Sequence, residues 1–184
     1  MDHGAMCYRR FLDGEDSAFD EIMDTYHDSL ILFINKLVGN YSIAEELAAD
    51  TFVELLVHRK RFLGKCDFKT YLYSIGRHKA IDYIRREARK KTVSTDEILE
   101  LSDVQHIEER FIEDESKRIL HQAIEQLSED YRAAVYLIFF ENLSYEDAAR
   151  ILGKNKKQID NLIYRAKAAL KKILTERSDS DAQH

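Results

Sequence analysis

The stretch Leu143-Ser-Tyr-Glu-Asp-Ala-Ala-Arg-Ile-Leu-Gly-Lys-Asn-Lys-Lys-Gln-Ile-Asp-Asn-Leu-Ile-Tyr-Arg-Ala-Lys-Ala-Ala-Leu-Lys-Lys-Ile-Leu174 decides how the chain reads. Ser144, with Asp147 three residues on, is a capping signal that satisfies the orphan amides of a helix start. Ala148, Ile151 and Leu152 then form a short apolar face. Gly153 ends that helix, because a tight turn between crossing helices calls for a positive φ. Ala149, one helical turn earlier, is small enough for the turn to pack closely. Asn155 opens a second helix, with Gln158 in the reciprocal capping position. Ile159, Leu162, Ile163 and Ala166 recur at helical spacing as its buried stripe. Lys156, Lys157, Tyr164, Arg165 and Lys167 lie outside the stripe. The pattern reads as a helix-turn-helix with a cationic second helix. A plain helical hairpin would share it, so the rest of the chain has to decide.

At 184 residues the chain can form one domain or two small ones. It has no proline and only six glycines, and it is rich in strong helix formers. Helix interiors exclude proline, and sheets need turn residues that are scarce here, so the expected fold class is all-α. No run approaches the roughly eighteen apolar residues of a membrane span, and no apolar signal core opens the chain. A soluble, cytoplasmic protein with no membrane insertion is expected. Cys7 and Cys66 cannot build a disulfide framework, and a single bridge is not expected in a reducing compartment.

The net charge of −6 misleads about polyanion binding, because the charge is segregated. Residues 1–57 hold three basic and twelve acidic side chains, and residues 58–91 hold twelve basic and three acidic. Residues 92–130 return to three basic and twelve acidic, and residues 131–177 to ten basic and five acidic. Two basic blocks separated by an acidic one suggest two separate polyanion contacts. Solvated helix faces would explain one charge run; four alternating blocks weaken that explanation.

In chain order, Met1–Cys7 shows no periodicity and reads as disordered, or as an appended segment ahead of a start at Met6. From Ser17, with Asp20 three residues on, Phe19, Ile22, Met23, Tyr26, Leu30, Phe33, Ile34 and Leu37 predict a long amphipathic helix ending near Gly39. Ser42 and Glu45 read as another capping box, opening a helix through about Phe62. Ile43, Leu47, Thr51, Leu55 and His58 lie on one side, flanked by Phe52 and Leu56. Glu45, Glu46, Asp50 and Glu54 occupy the remainder, either as a solvated face or as a partner-docking one. Gly64–Lys69 reads as a break, and Thr70–Lys91 as a helix with Tyr71, Leu72, Ile75, Ala80, Ile81 and Ile84 inside. Phe68, Tyr71, Tyr73 and Tyr83 are interleaved with cations; rings beside cations can stack on unpaired bases while the cations hold phosphates. Core packing accounts for Tyr71, whereas Phe68, placed in a loop, is the stronger stacking candidate.

Thr92–Asp114 is polar, acidic and weakly periodic, and reads as a linker, with a helical turn or two over Thr95–Leu101. A second domain begins near Glu115, with Ile119, Ala123, Ile124 and Leu127 on one helix. Ser128 caps the next, and Tyr131–Phe140 is apolar almost all round, which predicts a buried central helix. The tail Ser178–His184 is polar.

The order of these pieces carries a resemblance. Ala44-Glu-Glu-Leu-Ala-Ala-Asp-Thr-Phe-Val-Glu-Leu-Leu56 precedes Thr70-Tyr-Leu-Tyr-Ser-Ile-Gly-Arg77 and Ala80-Ile-Asp-Tyr-Ile-Arg-Arg86. Ala123-Ile-Glu-Gln-Leu-Ser-Glu-Asp-Tyr-Arg132, Leu143-Ser-Tyr-Glu-Asp-Ala-Ala149 and Tyr164-Arg-Ala-Lys-Ala-Ala-Leu170 follow. Over about Arg9–Arg177 the chain resembles bacterial RNA polymerase sigma factors of the extracytoplasmic-function (ECF) group of the sigma-70 family. The resemblance implies two small helical domains: sigma region 2 over 9–91 and sigma region 4 over 115–177, joined by the linker 92–114. It implies a factor that binds core RNA polymerase, directs it to specific promoters and promotes DNA melting.

Residue by residue, the resemblance implies that Glu46, Asp50, Thr51, Phe52, Glu54 and Leu55 dock on the β′ clamp helices of core polymerase, with the β flap as a further contact. It implies minus-ten contacts from Lys65, Asp67, Phe68, Lys69, Tyr73, Arg77, Lys79, Arg85 and Arg86, reading promoter DNA as unpaired strand. It implies minus-thirty-five contacts in the major groove from Lys156, Lys157, Gln158, Asp160, Asn161, Tyr164, Arg165 and Lys167. An anti-sigma factor is an implied partner, and the acidic linker would run toward the RNA exit path. The chain departs from common family residues at Ala49, where Gln is frequent, His78 (Asn) and Ser128 (Pro), without breaking a helix. Asp160 and Leu162 replace a common Lys and Arg, which implies weaker backbone affinity or a different base preference.

No phosphate-cradling glycine loop and no Cys/His set at metal spacing stands out, so no catalytic centre, cofactor or metal site is expected; His3 and Cys7 are a lone pair in the terminal segment. The rival readings are a helix-turn-helix regulator acting without being a polymerase subunit, and a helical adaptor with no nucleic-acid role.

Overall fold

The computed structural model describes residues 2–58, 62–93 and 115–181. Among them every regular element is helical: α1 (His3–Leu12), α2 (Ser17–Val38), α3 (Tyr41–Val57), α4 (Phe68–Val93), α5 (Glu115–Glu125), α6 (Glu129–Val135), a π-helical turn (Tyr136–Phe140), α7 (Tyr145–Leu152) and α8 (Lys156–Asp181). The helices α1–α4 form one module around α2, and the remainder form a second. Most of the linker, and with it the expected turns at Thr95–Leu101, lies outside the described residues.

The N-terminal segment corrects the expectation of disorder. Asp2 Oδ1 accepts from Ala5 N at 3.0 Å and caps α1, while Asp2 Oδ2 accepts from Phe68 N at 3.0 Å at the start of α4. One carboxylate therefore caps two helices far apart in sequence. Tyr8 and Phe11 are buried, and Gly4 is pressed so close to Tyr26 and Phe68 that a Cβ there would lie 2.7 Å from the Phe68 ring. Its seven-residue reach was too short for periodicity to be read, and its burial depends on partners distant in sequence.

α2 ends as expected: Gly39 takes φ +68° and its N–H donates to Asn35 O at 2.9 Å. The cap of α3 is Asn40, whose Oδ1 accepts from Ile43 N at 3.1 Å, and not Ser42. α3 ends at Val57, short of the expected Phe62. α4 begins at Phe68 and not at Thr70, which moves that ring from a loop into the first turn of a helix. Phe68 is fully buried among Tyr8, Tyr26 and Phe62, at ring-centroid distances of 5.1, 5.8 and 5.5 Å. Tyr73 is also fully buried, against Phe33 at 5.2 Å, with its hydroxyl donating to Ser29 Oγ at 2.8 Å. Edge and tilted arrangements of this kind add to the area the rings bury.

In the second module the helix-turn-helix forms as its capping residues dictate. Ser144 Oγ accepts from Asp147 N at 3.1 Å and donates to Asp147 Oδ2 at 2.6 Å. Gly153 adopts φ +60°, and Asn155 and Gln158 exchange side-chain-to-backbone bonds of 2.8 and 2.9 Å. Ile159, Ile163 and Ala166 are buried as the stripe predicts. The helix expected to be buried all round is not: past Val135 it widens into the π turn, closed by Glu141 N donating to Tyr136 O at 3.1 Å. Tyr136 and Leu137 point inward, whereas Phe139 and Phe140 reach the surface. The extra residue per turn rotates them off the core face.

Phe68→Ala should destabilise the fold by about 3–5 kcal/mol, the range for deleting a buried phenylalanine. Urea unfolding followed by circular dichroism checks this, and an unchanged midpoint would contradict the central packing described for this ring.

Candidate nucleic-acid interface

Three surfaces collect the residues singled out by sequence. On α3, Glu46 and Asp50 are exposed and Glu54 is half-buried, but Thr51, Phe52 and Leu55 belong to the core. The exposed stripe continues through Val53, 53 % exposed, and Val57, 67 % exposed, which sequence reasoning passed over. Their positions three and seven residues after Asp50 would have flagged them on a helical wheel. The outward face of α3 therefore mixes carboxylates with bare valines, a combination that suits docking better than solvation alone.

On α4, Lys79, Arg85, Arg86 and Arg89 line a shallow cleft of about 460 Å³ together with Leu47 and Asp50 of α3 and Asp82. Lys79 pairs with Glu54 at 3.1 Å and Arg85 with Asp82 at 3.7 Å. Lys65 and Asp67 are exposed ahead of α4. Other residues from the same expected set are engaged elsewhere. Phe68 and Tyr73 are in the core, and burial pushes the Tyr73 hydroxyl far above its ordinary range. The expectation of Phe68 as a loop ring open to a base does not describe this conformation: capping by Asp2 and the aromatic cluster hold it inside.

On α8, Lys157, Gln158, Asp160, Asn161, Tyr164, Arg165 and Lys167 are all exposed, Tyr164 to 77 %. Lys156 is tied to Glu146 of α7 at 2.6 Å, and that hydrogen bond raises the lysine's pKa and lowers the carboxyl's. Lys167 lies over the Phe139 ring at 5.2 Å. Lys157 and Arg165 are the cations of this helix best placed to meet phosphates.

The two modules pack on each other. Lys36 of α2, only 5 % exposed, pairs at 2.7 Å with Glu125 of α5, which also accepts from Arg132 at 3.2 Å. Lys69 of α4 reaches Glu141 beyond the π turn at 2.6 Å, and Tyr136 stacks on Phe33 with centroids 6.4 Å apart. Arg77 lies against the helix-turn-helix turn, its Nη1 3.5 Å from where a Cβ on Gly153 would be. Burial lowers its pKa, against the pull of Asp130. Lys69, Tyr73 and Arg77, which the resemblance assigns to one DNA element, are thus turned toward the second module, while Lys157 and Arg165 of α8 are exposed.

Residues 22–90 match the family model for sigma-70 region 2, and residues 117–170 match the one for sigma-70, region 4. The RNA polymerase sigma-H factor of Pseudomonas aeruginosa is 30 % identical over 170 residues, 88 % of this chain and 88 % of that protein. The ECF RNA polymerase sigma factor BldN of Streptomyces coelicolor is 31 % identical over 166 residues, 89 % of this chain. The chain belongs to the ECF group of the sigma-70 family. This ECF factor spans 62 % of BldN's length. Among solved structures it resembles the sigma factor RpoE of Bartonella quintana in complex with the anti-sigma factor NepR, with TM-score 0.68 and 25 % identity, covering 85 % of this chain and 96 % of that one. It shares the fold of CnrH, solved in complex with the cytosolic domain of CnrY, at TM-score 0.66 and 21 % identity over 95 % and 99 % of the two chains. Sigma factors are a non-catalytic class of initiation factor, and the regulator and adaptor readings are not favoured. No helix among the described residues is long and apolar enough to cross a membrane.

Glu125→Ala strips the largely buried Lys36 of its carboxylate, and an ammonium without that partner is costly to keep out of water. Parting of the modules relieves the cost. The variant should show a larger radius of gyration by small-angle X-ray scattering with near-native helicity; an unchanged radius would mean the ion pair does not hold the modules together.

Proposed function

We propose that this sigma factor docks on core RNA polymerase through the exposed face of α3, brings α4 to the minus-ten element and α8 to the minus-thirty-five element, and so directs initiation and strand opening. The observation that carries the reading is the presence, in one chain, of a carboxylate-and-valine docking face and two separate cationic surfaces on distinct modules. Phosphate contacts from Arg85, Arg86, Lys157 and Arg165 supply salt-dependent affinity, while base edges and extruded bases supply specificity. Strand separation then needs no reacting side chain: unpaired bases gain stacking partners worth about 1–3 kcal/mol each. Residues 9–91, 92–114 and 115–177 are read as region 2, linker and region 4, and the site of action as the cytoplasm.

The packed arrangement is read as a resting form. Lys69 and Arg77 reach a minus-ten strand only when α6 and α7 withdraw, so engagement of polymerase and promoter has to separate the modules. The exposed Leu120, Phe139 and Phe140 are read as a contact for the β flap or an anti-sigma factor. The Bartonella relative, crystallised with its anti-sigma factor, supports such a partner.

In vitro transcription with core polymerase on a promoter library tests the whole reading, and absence of initiation from every template would overturn it. Val53→Glu with Val57→Glu should weaken polymerase binding at least tenfold in a fluorescence titration while leaving the unfolding midpoint unchanged; native affinity would remove α3 as the docking face. Lys157→Ala with Arg165→Ala should lower the slope of log affinity against log salt for duplex promoter DNA, measured with the holoenzyme, by about 2, since each phosphate contact contributes about 0.9. An unchanged slope would remove α8 as a phosphate-contacting surface.

A further inference from the structure

Where α1 leans on α2, a group of side chains has no part in the surfaces above. His3 and Cys7 are one helical turn apart on α1, and Glu21 of α2 faces them. The Cys7 Sγ lies 3.6 Å from His3 Nε2 and 3.3 Å from Glu21 Oε2, and one ligating atom from each of the three residues falls within 4.8 Å of the others. In tetrahedral zinc sites with bonds of 2.0–2.3 Å, ligand atoms are separated by roughly 3.3–3.8 Å. Both sulfur distances already match this range. The remaining imidazole–carboxylate gap can be closed by rotation of the His3 ring, which is exposed.

We propose that His3, Cys7 and Glu21 form a binding site for a divalent transition metal of the zinc type, with a fourth position open to water. Imidazole, thiolate and carboxylate together suit zinc, whereas magnesium and calcium favour all-oxygen sets. The surroundings supply the outer support that metal ligands need. Arg10 donates to Glu21 Oε2 at 3.0 Å and lies 2.9 Å from Oε1, and it also holds Glu15. That clamp fixes the Glu21 carboxylate, as outer-shell partners do. Charge also balances: the dication meets one thiolate and one carboxylate, and Glu15 offsets the Arg10 guanidinium. Without a cation, burial and the neighbouring Glu21 hold the Cys7 thiol protonated, above its ordinary pKa. Binding therefore releases that proton to solvent as the sulfur–metal bond forms.

The location gives the site a consequence. Asp2 and Gly4, flanking His3, cap the start of α4 and press on Phe68. A metal joining α1 to α2 clamps this N-terminal buttress beneath the first turn of α4. Occupancy of a three-ligand site that reaches solvent through His3 follows available metal and thiol redox state, so the rigidity of that turn would follow them too.

The test uses the full chain, reduced and stripped with chelator, titrated with Zn²⁺ against a colorimetric chelator and separately with Co²⁺. One Zn²⁺ per chain, a thiolate-to-cobalt charge-transfer band in the near ultraviolet, and slower hydrogen exchange of α1 amides on metal addition are expected. Cys7→Ser should abolish the band and reduce Zn²⁺ affinity by more than the about 10–100-fold that loss of an outer-shell partner costs. Cys66→Ser should leave both unchanged, and Mg²⁺ should not compete. His3→Gln, altering an exposed ring, provides the same test should Cys7→Ser fail to fold, and should weaken Zn²⁺ binding with native helicity. Absence of stoichiometric binding, a band that survives Cys7→Ser or disappears with Cys66→Ser, or full affinity in His3→Gln would each overturn the site.

Discussion

Enclosure of α2 is the constraint on which the rest of the structure depends. Leu30 and Ile34 approach α4 so closely that a Cβ on Gly76 would lie 3.0 Å from the Leu30 methyl. On other sides α2 is covered by α1 and α3, and its remaining face meets α6 of the second module. α2 keeps only a narrow acidic stripe of Asp20, Asp24 and Asp28 in solvent, and the lysine buried on it, Lys36, is met by Glu125 from the other module. The relative placement of the two halves thus follows from what the C-terminal part of α2 needs: a carboxylate for Lys36 and a ring, Tyr136, for Phe33.

That interface has a functional cost built into it. Coulomb pairs such as Lys69–Glu141 form only because the minus-ten candidates carry the charge that attracts acidic groups of the second module. The same positive charge that the proposed function assigns to DNA thus also holds α4 against the second module. On the proposed reading, polyanion and partner module compete for one set of cations, which would keep α4 covered until a larger assembly engages it. The α8 surface escapes this competition because its cations project from the side opposite the buried stripe of Ile159 and Ile163.

The N-terminal helix shows how a short segment can control a distant one. Asp2 caps α1 with one oxygen and α4 with the other, so the start of the basic helix is fixed from sixty-six positions away in sequence. The aromatic cluster of Tyr8, Tyr26, Phe62 and Phe68 fills the space between, and Gly4 is the only residue type that fits against it.

By itself, the sequence determined the helical class, the ends of α2, the helix-turn-helix with its two capping pairs, and the segregation of charge into two basic blocks. These are local properties, set by side chains within four residues of one another or by composition over a block, and no tertiary contact is needed to read them. It also carried the family, through the order of motifs across both halves. Only the tertiary structure decided that Phe68 and Tyr73 are interior, that Val53 and Val57 are bare, and that α1 exists as a packed helix. It also brought Glu21 beside His3 and Cys7. Each of these outcomes depends on which faces meet across long sequence separations, and an amphipathic pattern records that a face is buried without recording against what.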